Sequence, residues 1–260
     1  MEAQEKTIGF VGGGRVTRII LSGLSNSGFT MQKVMVSDVN SDVLRILSEK
    51  FSGIKVTSNN VESASADLVF LAVHPPVMRD VLPEISGSLR PSSVLVSLAP
   101  VFKIQKISSE LGGFDRIARM IPNAPSAVNA GYNPIAFSPA VSEDDKSKLL
   151  SIFERLGQAP IVDEDTLEIY AIITAMGPTY FWFQWAKLVE MAVSFGLQRN
   201  EAERAVASML HGAVKTMFDS GMSVHEVMDL IPVKPLADYE TVLDEAYQSK
   251  LSALFAKLRG

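Results

Sequence analysis

The sequence predicts a doubly wound α/β fold of the Rossmann type followed by an all-helical region. Three observations carry that prediction. An apolar run at residues 7–11 ends in three consecutive glycines and opens into an amphipathic helix. Short apolar runs then alternate with helix-period segments as far as Val162. Beyond that point strand-like runs cease, and residues 164–260 read as helices.

Residues 7–11 form the first strand, and residues 15–27 a helix closed by Gly28. Residues 34–36 form the second strand. A helix over 41–51 follows, with Asp38 or Asn40 near its cap. Residues 54–57 are strand-like. Residues 68–73 and 94–98 are continuous apolar runs, as expected of parallel strands covered on both faces. Next come a helix over 102–111, a strand over 116–120 and a further strand over 135–137. Residues 142–156 form an amphipathic helix. Its first turn holds Glu143, Asp144 and Asp145, which suit the positive end of the helix dipole. Residues 159–162 are the last expected strand. Such alternation builds a parallel sheet with helices on both faces.

A dinucleotide-binding Rossmann domain is therefore expected over residues 1–162, and an all-helical dimerisation and substrate domain over 163–260. The helix over 180–195 is apolar nearly all round, including Phe181, Trp182, Phe183 and Trp185. A helix of that kind is buried on most sides. Asn200-Glu201-Ala202-Glu203 resembles a capping box that opens a second long helix ending near Gly221. Helices over 224–230 and 238–258 complete the set. Fewer than a hundred residues around so apolar a helix make a poor free-standing domain. A homodimer through these helices is expected.

The chain has 260 residues, 47% hydrophobic and 20% charged, an ordinary composition for a filled core. Its net charge is −5 and it has no Lys/Arg-rich run, so nucleic acid and anionic membrane are not expected partners. The absence of cysteine excludes disulfides, thiolate zinc sites and cysteine nucleophiles, and suits a cytoplasmic location. The polar first six residues run straight into a strand-like segment, so no signal peptide is expected. The longest apolar stretch, around residues 171–195, is interrupted by Gly177, Pro178, Lys187 and Glu190 and reads as a buried helix, not a membrane span. No two of the three histidines have metal-ligand spacing, and no metal is expected. His211 is expected to pack within the helical region and His225 to lie on the surface.

The turn Gly12-Gly13-Gly14-Arg15-Val16-Thr17 has the chemistry of a pyrophosphate cradle. Gly12 permits the tight turn, and Gly14 has no Cβ to hold the anion away. The helix opening near Arg15 presents free N–H groups and the positive end of a dipole. Thr17 stands where glycine or alanine is usual and is expected to loosen the helix–strand packing slightly. Asp38, at the end of the next strand, can accept hydrogen bonds from the ribose hydroxyls of NAD and would repel the extra phosphate of NADP. Its other reading is as a helix cap. NAD is favoured, while Arg15 or Lys33 leaves NADP open.

The chain also resembles the pyrroline-5-carboxylate reductases over most of its length. The resemblance is carried by Ile8–Gly14, by Leu21-Ser22-Gly23-Leu24, by Val56-Thr57-Ser58-Asn59-Asn60 and by Leu71-Ala72-Val73-His74-Pro75. Most specific is Arg119-Met120-Ile121-Pro122-Asn123-Ala124-Pro125, with Ala175-Met176-Gly177-Pro178-Thr179-Tyr180 further on. It implies an NAD(P)H-dependent enzyme that reduces a small cyclic imine in proline biosynthesis. It also implies a cofactor on the first domain, an intertwined dimer of the second, and a cleft between the two. The cofactor contacts expected on these grounds are Gly12, Gly14, Arg15, Val16, Asp38, Asn60, Ala72, Val73, His74, Pro75 and Ala99.

The resemblance breaks in the substrate half. Where the family carries a glycine–threonine loop for the substrate carboxylate, this chain has Ile231-Pro232-Val233-Lys234-Pro235-Leu236-Ala237-Asp238-Tyr239. Pro232 and Pro235 remove two N–H donors. Pro100 replaces a glycine after Ser97-Leu98-Ala99. Lys234 offers an anion a point charge, or is an exposed loop lysine. Expected substrate contacts are Asn123, Thr174, Gly177 and Pro178, and expected catalytic groups are Thr179, Lys234 and Asp238. Asn123 is alternatively a loop cap, and Thr179 alternatively the cap of the long helix. Two other readings stay open. One is a same-fold dehydrogenase or reductase acting on a ketone, a hydroxy acid or a deazaflavin cofactor. The other is a non-catalytic NAD(P)-binding sensor.

Overall fold

The computed structural model describes residues 6–259. Strand β1 (Ile8–Val11) is buried throughout and lies inside a seven-stranded sheet. Helix α1 (Arg15–Asn26) returns the chain to β2 (Val34–Ser37). Helix α2 (Ser41–Lys50) then leads to β3 (Lys55–Thr57) at one edge. The short α3 (Asn60–Ala64) carries the chain back to β4 (Leu68–Leu71), on the other side of β1. From there α4 (Pro75–Ile85), β5 (Val94–Ser97), α5 (Ile104–Glu110) and β6 (Ile117–Met120) build outward. A two-residue strand β7 (Gly131–Tyr132) precedes β8 (Ile135–Phe137), which closes the far edge. The order is β3-β2-β1-β4-β5-β6-β8, and every pairing is parallel except β6 with β8. The direction of winding reverses between β1 and β4, which is the switch point of such a sheet.

Side chains alternate across the sheet with period two. Ile8, Phe10, Leu68 and Phe70 face one core with Ile20, Leu24 and Phe153. Val11, Val69 and Leu71 face the other, with Met78, Leu82, Ile85 and Ile107. Phe10 and Phe70 stack at 4.6 Å, and Phe153 meets Phe70 edge-on. Helix α4 had no counterpart among the expected elements. Pro75 and Pro76 look like a break, yet proline is favoured in the first turn of a helix, and Met78, Val81, Leu82 and Ile85 form its buried face.

Two further expectations are corrected here. Residues 159–162 do not form a strand. The chain passes through α6 (Glu143–Phe153) to β9 (Gly157–Gln158), which pairs with β7 in a separate two-stranded sheet, and Ile161 makes only an isolated bridge to Ile135. Pro160 accepts from the Ile135 N–H but has none to donate, so the ladder stops. The sequence also suggests a boundary after Val162. The chain instead groups into one compact unit that runs to Met176 and resumes at Phe255, and another spanning Gly177–Leu254. Helix α7 (Leu167–Tyr170) belongs to the first, because Leu167, Ala171 and Ile172 are buried there.

The second unit is helical: α8 (Pro178–Ser194), α9 (Arg199–Asp219), α10 (Val224–Asp229) and most of α11 (Glu240–Arg259). Gln198 and Glu201 form the capping box of α9, two residues earlier than the sequence suggests, and Ser223 with Glu226 forms that of α10. Helix α11 starts at Glu240 because residues 237–239 form a tighter 3-10 turn. Helix α8, expected to be buried on most sides, has no buried residue. His211, expected to be packed, is exposed, as is His225. Among the described residues no helix is long and apolar enough to cross a membrane.

Candidate active site

The register of the sheet assembles the site. Val11 pairs with Ser37 and with Leu71, and Leu71 pairs with Ser97. The residues that follow them, Gly12, Asp38, Ala72 and Leu98, therefore emerge side by side at the carboxyl ends of four parallel strands. Ligands of open α/β sheets bind at that edge.

Gly12 has φ +102°, and a Cβ there would lie 2.9 Å from the carbonyl oxygen of Ala72. This position admits only glycine, for reasons internal to the protein. Thr17 is fully buried, and its hydroxyl donates to the Gly12 carbonyl at 2.5 Å. It ties α1 to the turn and does not loosen the packing. Gly14 differs from Gly12. It is the N-cap of α1 with no side-chain hydrogen bond, and a Cβ added there would meet nothing within 4 Å. The space above it is open, and the first N–H groups of α1 face that end without a capping side chain.

Asp38 does not cap α2; Asn40 does, accepting from the N–H groups of Asp42 and Val43. The Asp38 carboxylate instead accepts from the Gly13 N–H and the Asn40 N–H, each at 2.8 Å. It thereby fastens the glycine turn to the end of β2. Asn60 is buried, with its carbonyl oxygen accepting from the Ser37 hydroxyl at 2.8 Å and its amide donating to Glu84 at 2.9 Å. His74 is the exposed N-cap of α4, ahead of Pro75, and makes no side-chain cap bond.

These residues share one cavity of about 490 Å³. Gly12, Gly14, Arg15, Val16, Asp38, Asn60, Ala72, Val73, His74, Pro75 and Ala99 all line it. Sequence reasoning missed Val39, Val77, Val81, Leu98 and Pro100 on its walls. The apolar spacing in α4 was the signal for Val77 and Val81. Lys33 lies elsewhere: it ends the 3-10 turn that enters β2, at the amino ends of the strands. Arg15 is the cation at the cavity. The mostly apolar wall, a polar rim and a helix N-terminus fit a dinucleotide, with its flat apolar rings and central anion.

The expected substrate residues are placed as follows. Asn123 follows β6 at the head of a 3-10 turn, Ala124–Val128, and is buried; its side-chain carbonyl oxygen accepts from the Tyr132 N–H at 3.1 Å, and its amide donates to the Thr174 carbonyl at 3.4 Å. Thr174 sits in a π-helical turn, Ala171–Ala175, with its hydroxyl on the Tyr170 carbonyl. In the second unit Gly177 is the N-cap of α8, Pro178 opens the helix, and Thr179 is one residue further in, so Thr179 is not the cap. Lys234 and Asp238 are exposed, in an irregular stretch and in the 3-10 turn that follows it. After β5 the left-handed residue is Val101, φ +77°, and not Pro100, whose ring fixes a negative φ.

Residues 7–100 match the family described as NADP oxidoreductase coenzyme F420-dependent. Residues 164–234 match the pyrroline-5-carboxylate reductase dimerisation family. The chain is 30% identical over 229 residues to the pyrroline-5-carboxylate reductase of Escherichia coli (strain K12), spanning 87% of this chain and 85% of that one. The enzyme of that name from Methanosarcina acetivorans is 26% identical over 230 residues, 88% and 85% of the two chains. Among solved structures, a pyrroline-5-carboxylate reductase from Coxiella burnetii aligns with a TM-score of 0.72 at 29% identity, over 98% of this chain and 94% of that one. Plasmodium falciparum pyrroline carboxylate reductase with NADP bound aligns over 98% of both chains with a TM-score of 0.85 at 23% identity, a likeness of fold. The chain belongs to the pyrroline-5-carboxylate reductase family of NAD(P)-dependent oxidoreductases.

Proposed function

We propose that this protein reduces the cyclic imine of pyrroline-5-carboxylate, with the dinucleotide seated in the cavity at the carboxyl ends of β1, β2, β4 and β5. The observation that carries the reading is the open space above Gly14, beside the uncapped start of α1, in a cavity otherwise walled by side chains. When bound, the reduced nicotinamide supplies the hydride. The N–H groups at Gly14 and Arg15 bind the pyrophosphate. Asp38, already held by two backbone N–H groups, accepts from the adenosine ribose, which favours NAD over NADP. The apolar walls exclude water from the hydride donor.

Asn123, Thr174, Gly177 and Pro178 are the proposed substrate contacts. Thr179, Lys234 and Asp238 are the proposed polar groups for carboxylate binding and proton delivery. The chain works as a homodimer through its helical unit, a reading supported by the dimerisation-family match and by the exposed Phe183 and Phe195. A second reading, reduction of another small imine or ketone, is favoured by one observation: Pro232 and Pro235 take two N–H donors from the 231–239 loop.

The test is absorbance loss of NADH and NADPH with pyrroline-5-carboxylate and with a panel of other imines and ketones. Turnover of pyrroline-5-carboxylate supports the first reading, and turnover of a panel member alone supports the second. Turnover of none contradicts both. Asp38→Ser is expected to move preference towards NADPH, measured as the ratio of kcat/KM for the two cofactors; an unchanged ratio removes Asp38 from that role.

A further inference from the structure

The loop between β5 and α5 holds a residue in a conformation that its side chain resists. Val101, at φ +77°, lies in the left-handed region, which a β-branched residue occupies only under constraint. It directly follows Leu98, Ala99 and Pro100, which line the dinucleotide cavity.

Residues 164–168 accept hydrogen bonds from both ends of this loop. Oε1 of Glu168, itself buried, accepts the Val101 N–H at 3.2 Å. The same oxygen accepts from Nη2 of Arg119 at 2.7 Å, and Arg119 is fully buried. Nη1 of Arg119 donates to Glu164 at 2.9 Å, on the oxygen that also accepts the N–H of Ile104, the first residue of α5, at 2.6 Å. One planar guanidinium therefore aims two carboxylates, and these grip both ends of the 101–104 loop. Buried ion pairs are weak contributors to stability, because desolvation offsets their attraction. What this one supplies is a fixed geometry at Val101.

We propose that Glu168, oriented by Arg119, is a positioning residue for the dinucleotide: it holds Val101 left-handed and so sets the Leu98–Pro100 wall of the cavity. This rests on the reading of that cavity as the dinucleotide site. Glycine adopts a positive φ without help. Val101→Gly therefore frees the wall from its dependence on Glu168.

The test is calorimetric titration of NADH and NADPH into the full-length wild type, Glu168→Ala, Val101→Gly and the double variant, with the melting temperature of each. Glu168→Ala weakens binding on the order of tenfold, the strain of one left-handed residue expressed as affinity. Val101→Gly alone binds like the wild type, and the double variant recovers most of the lost affinity. Wild-type affinity in Glu168→Ala overturns the proposal. So does a double variant that binds as poorly as Glu168→Ala, which is the result of a purely stabilising role. Should Glu168→Ala not fold, Val101→Pro decides. It keeps the Arg119–Glu168 pair, removes the N–H and forbids a positive φ; weakened binding supports the proposal and wild-type affinity overturns it. If the wild type binds neither dinucleotide, the cavity reading fails first, and the inference with it.

Discussion

The two compact units treat their aromatic residues in opposite ways. In the sheet unit Phe10, Phe70 and Phe153 are fully buried and stack on one another. In the helical unit Phe183, Phe195 and Phe218 are 67%, 79% and 78% exposed, and Ala202 is the one buried side chain among its described residues. The first unit therefore closes its own core. The second leaves large apolar side chains exposed, as surfaces at subunit interfaces do.

The largest expected effect sharpens that contrast from the sheet side. Phe70→Ala removes a ring that touches both Phe10 and Phe153, and is expected to cost about 3–5 kcal/mol. Urea unfolding at several protein concentrations checks it, because the loss should not depend on concentration. Phe195→Ala combined with Phe218→Ala is expected to cost roughly 3 kcal/mol at high concentration and almost nothing once the chain is dilute enough to dissociate. Light scattering should show the wild type at the mass of two chains and the double variant shifted towards one. A wild type at the mass of a single chain breaks the comparison.

A smaller effect concerns the charged rim of the sheet unit. Burial of Asp145 opposes its ionisation, but hydrogen bonds from Lys6, Ser142 and Arg116 outweigh that and hold its carboxyl well below the usual carboxylate range. A lowered folded-state value contributes stability above the unfolded pKa, about 4, and that contribution is lost as the pH falls below it. Asp145→Asn is therefore expected to cost roughly 2 kcal/mol near neutrality. Melting temperatures taken across pH should show the gap to the wild type closing below about pH 4. A gap that stays constant into acid contradicts this assignment.

The same contrast explains what was legible in the sequence. The glycine turn, Asp38 and the strands around them are local features, in which each residue's role follows from near neighbours and from the period of its own element. Asn60, His74 and Ala99 were reached through family resemblance, and they line the cavity because the parallel register aligns the strand ends. Features that depend on distant pairing were not legible. The amide of Asn123 is engaged by Tyr132 and Thr174, and Arg119 is matched to Glu164 and Glu168 across β6 and the segment that follows the sheet. No spacing rule marks those partners. Helix α4 was not among the expected elements; Pro75 and Pro76, residues that cannot continue a helix, form its first turn. The exposure of α8 has a third cause, since its apolar pattern fits burial of either kind, within a chain or between chains.

Gly12 and Gly14 bring the account to a single measurement. Gly12 is required by the protein, since a Cβ there meets the Ala72 carbonyl in a left-handed backbone; Gly14 faces open space in an ordinary conformation. Gly12→Ala should cost about 1–2 kcal/mol of stability. Gly14→Ala should leave the melting temperature of the free protein within a degree or so. Titration of NADH and NADPH into wild type and Gly14→Ala, alongside those melts, is the direct test. The wild type is expected to bind, and Gly14→Ala to keep its fold while losing on the order of a hundredfold in affinity, because its methyl group occupies the place of the pyrophosphate. Equal affinity in the two proteins would contradict the claim that the glycine turn holds the dinucleotide.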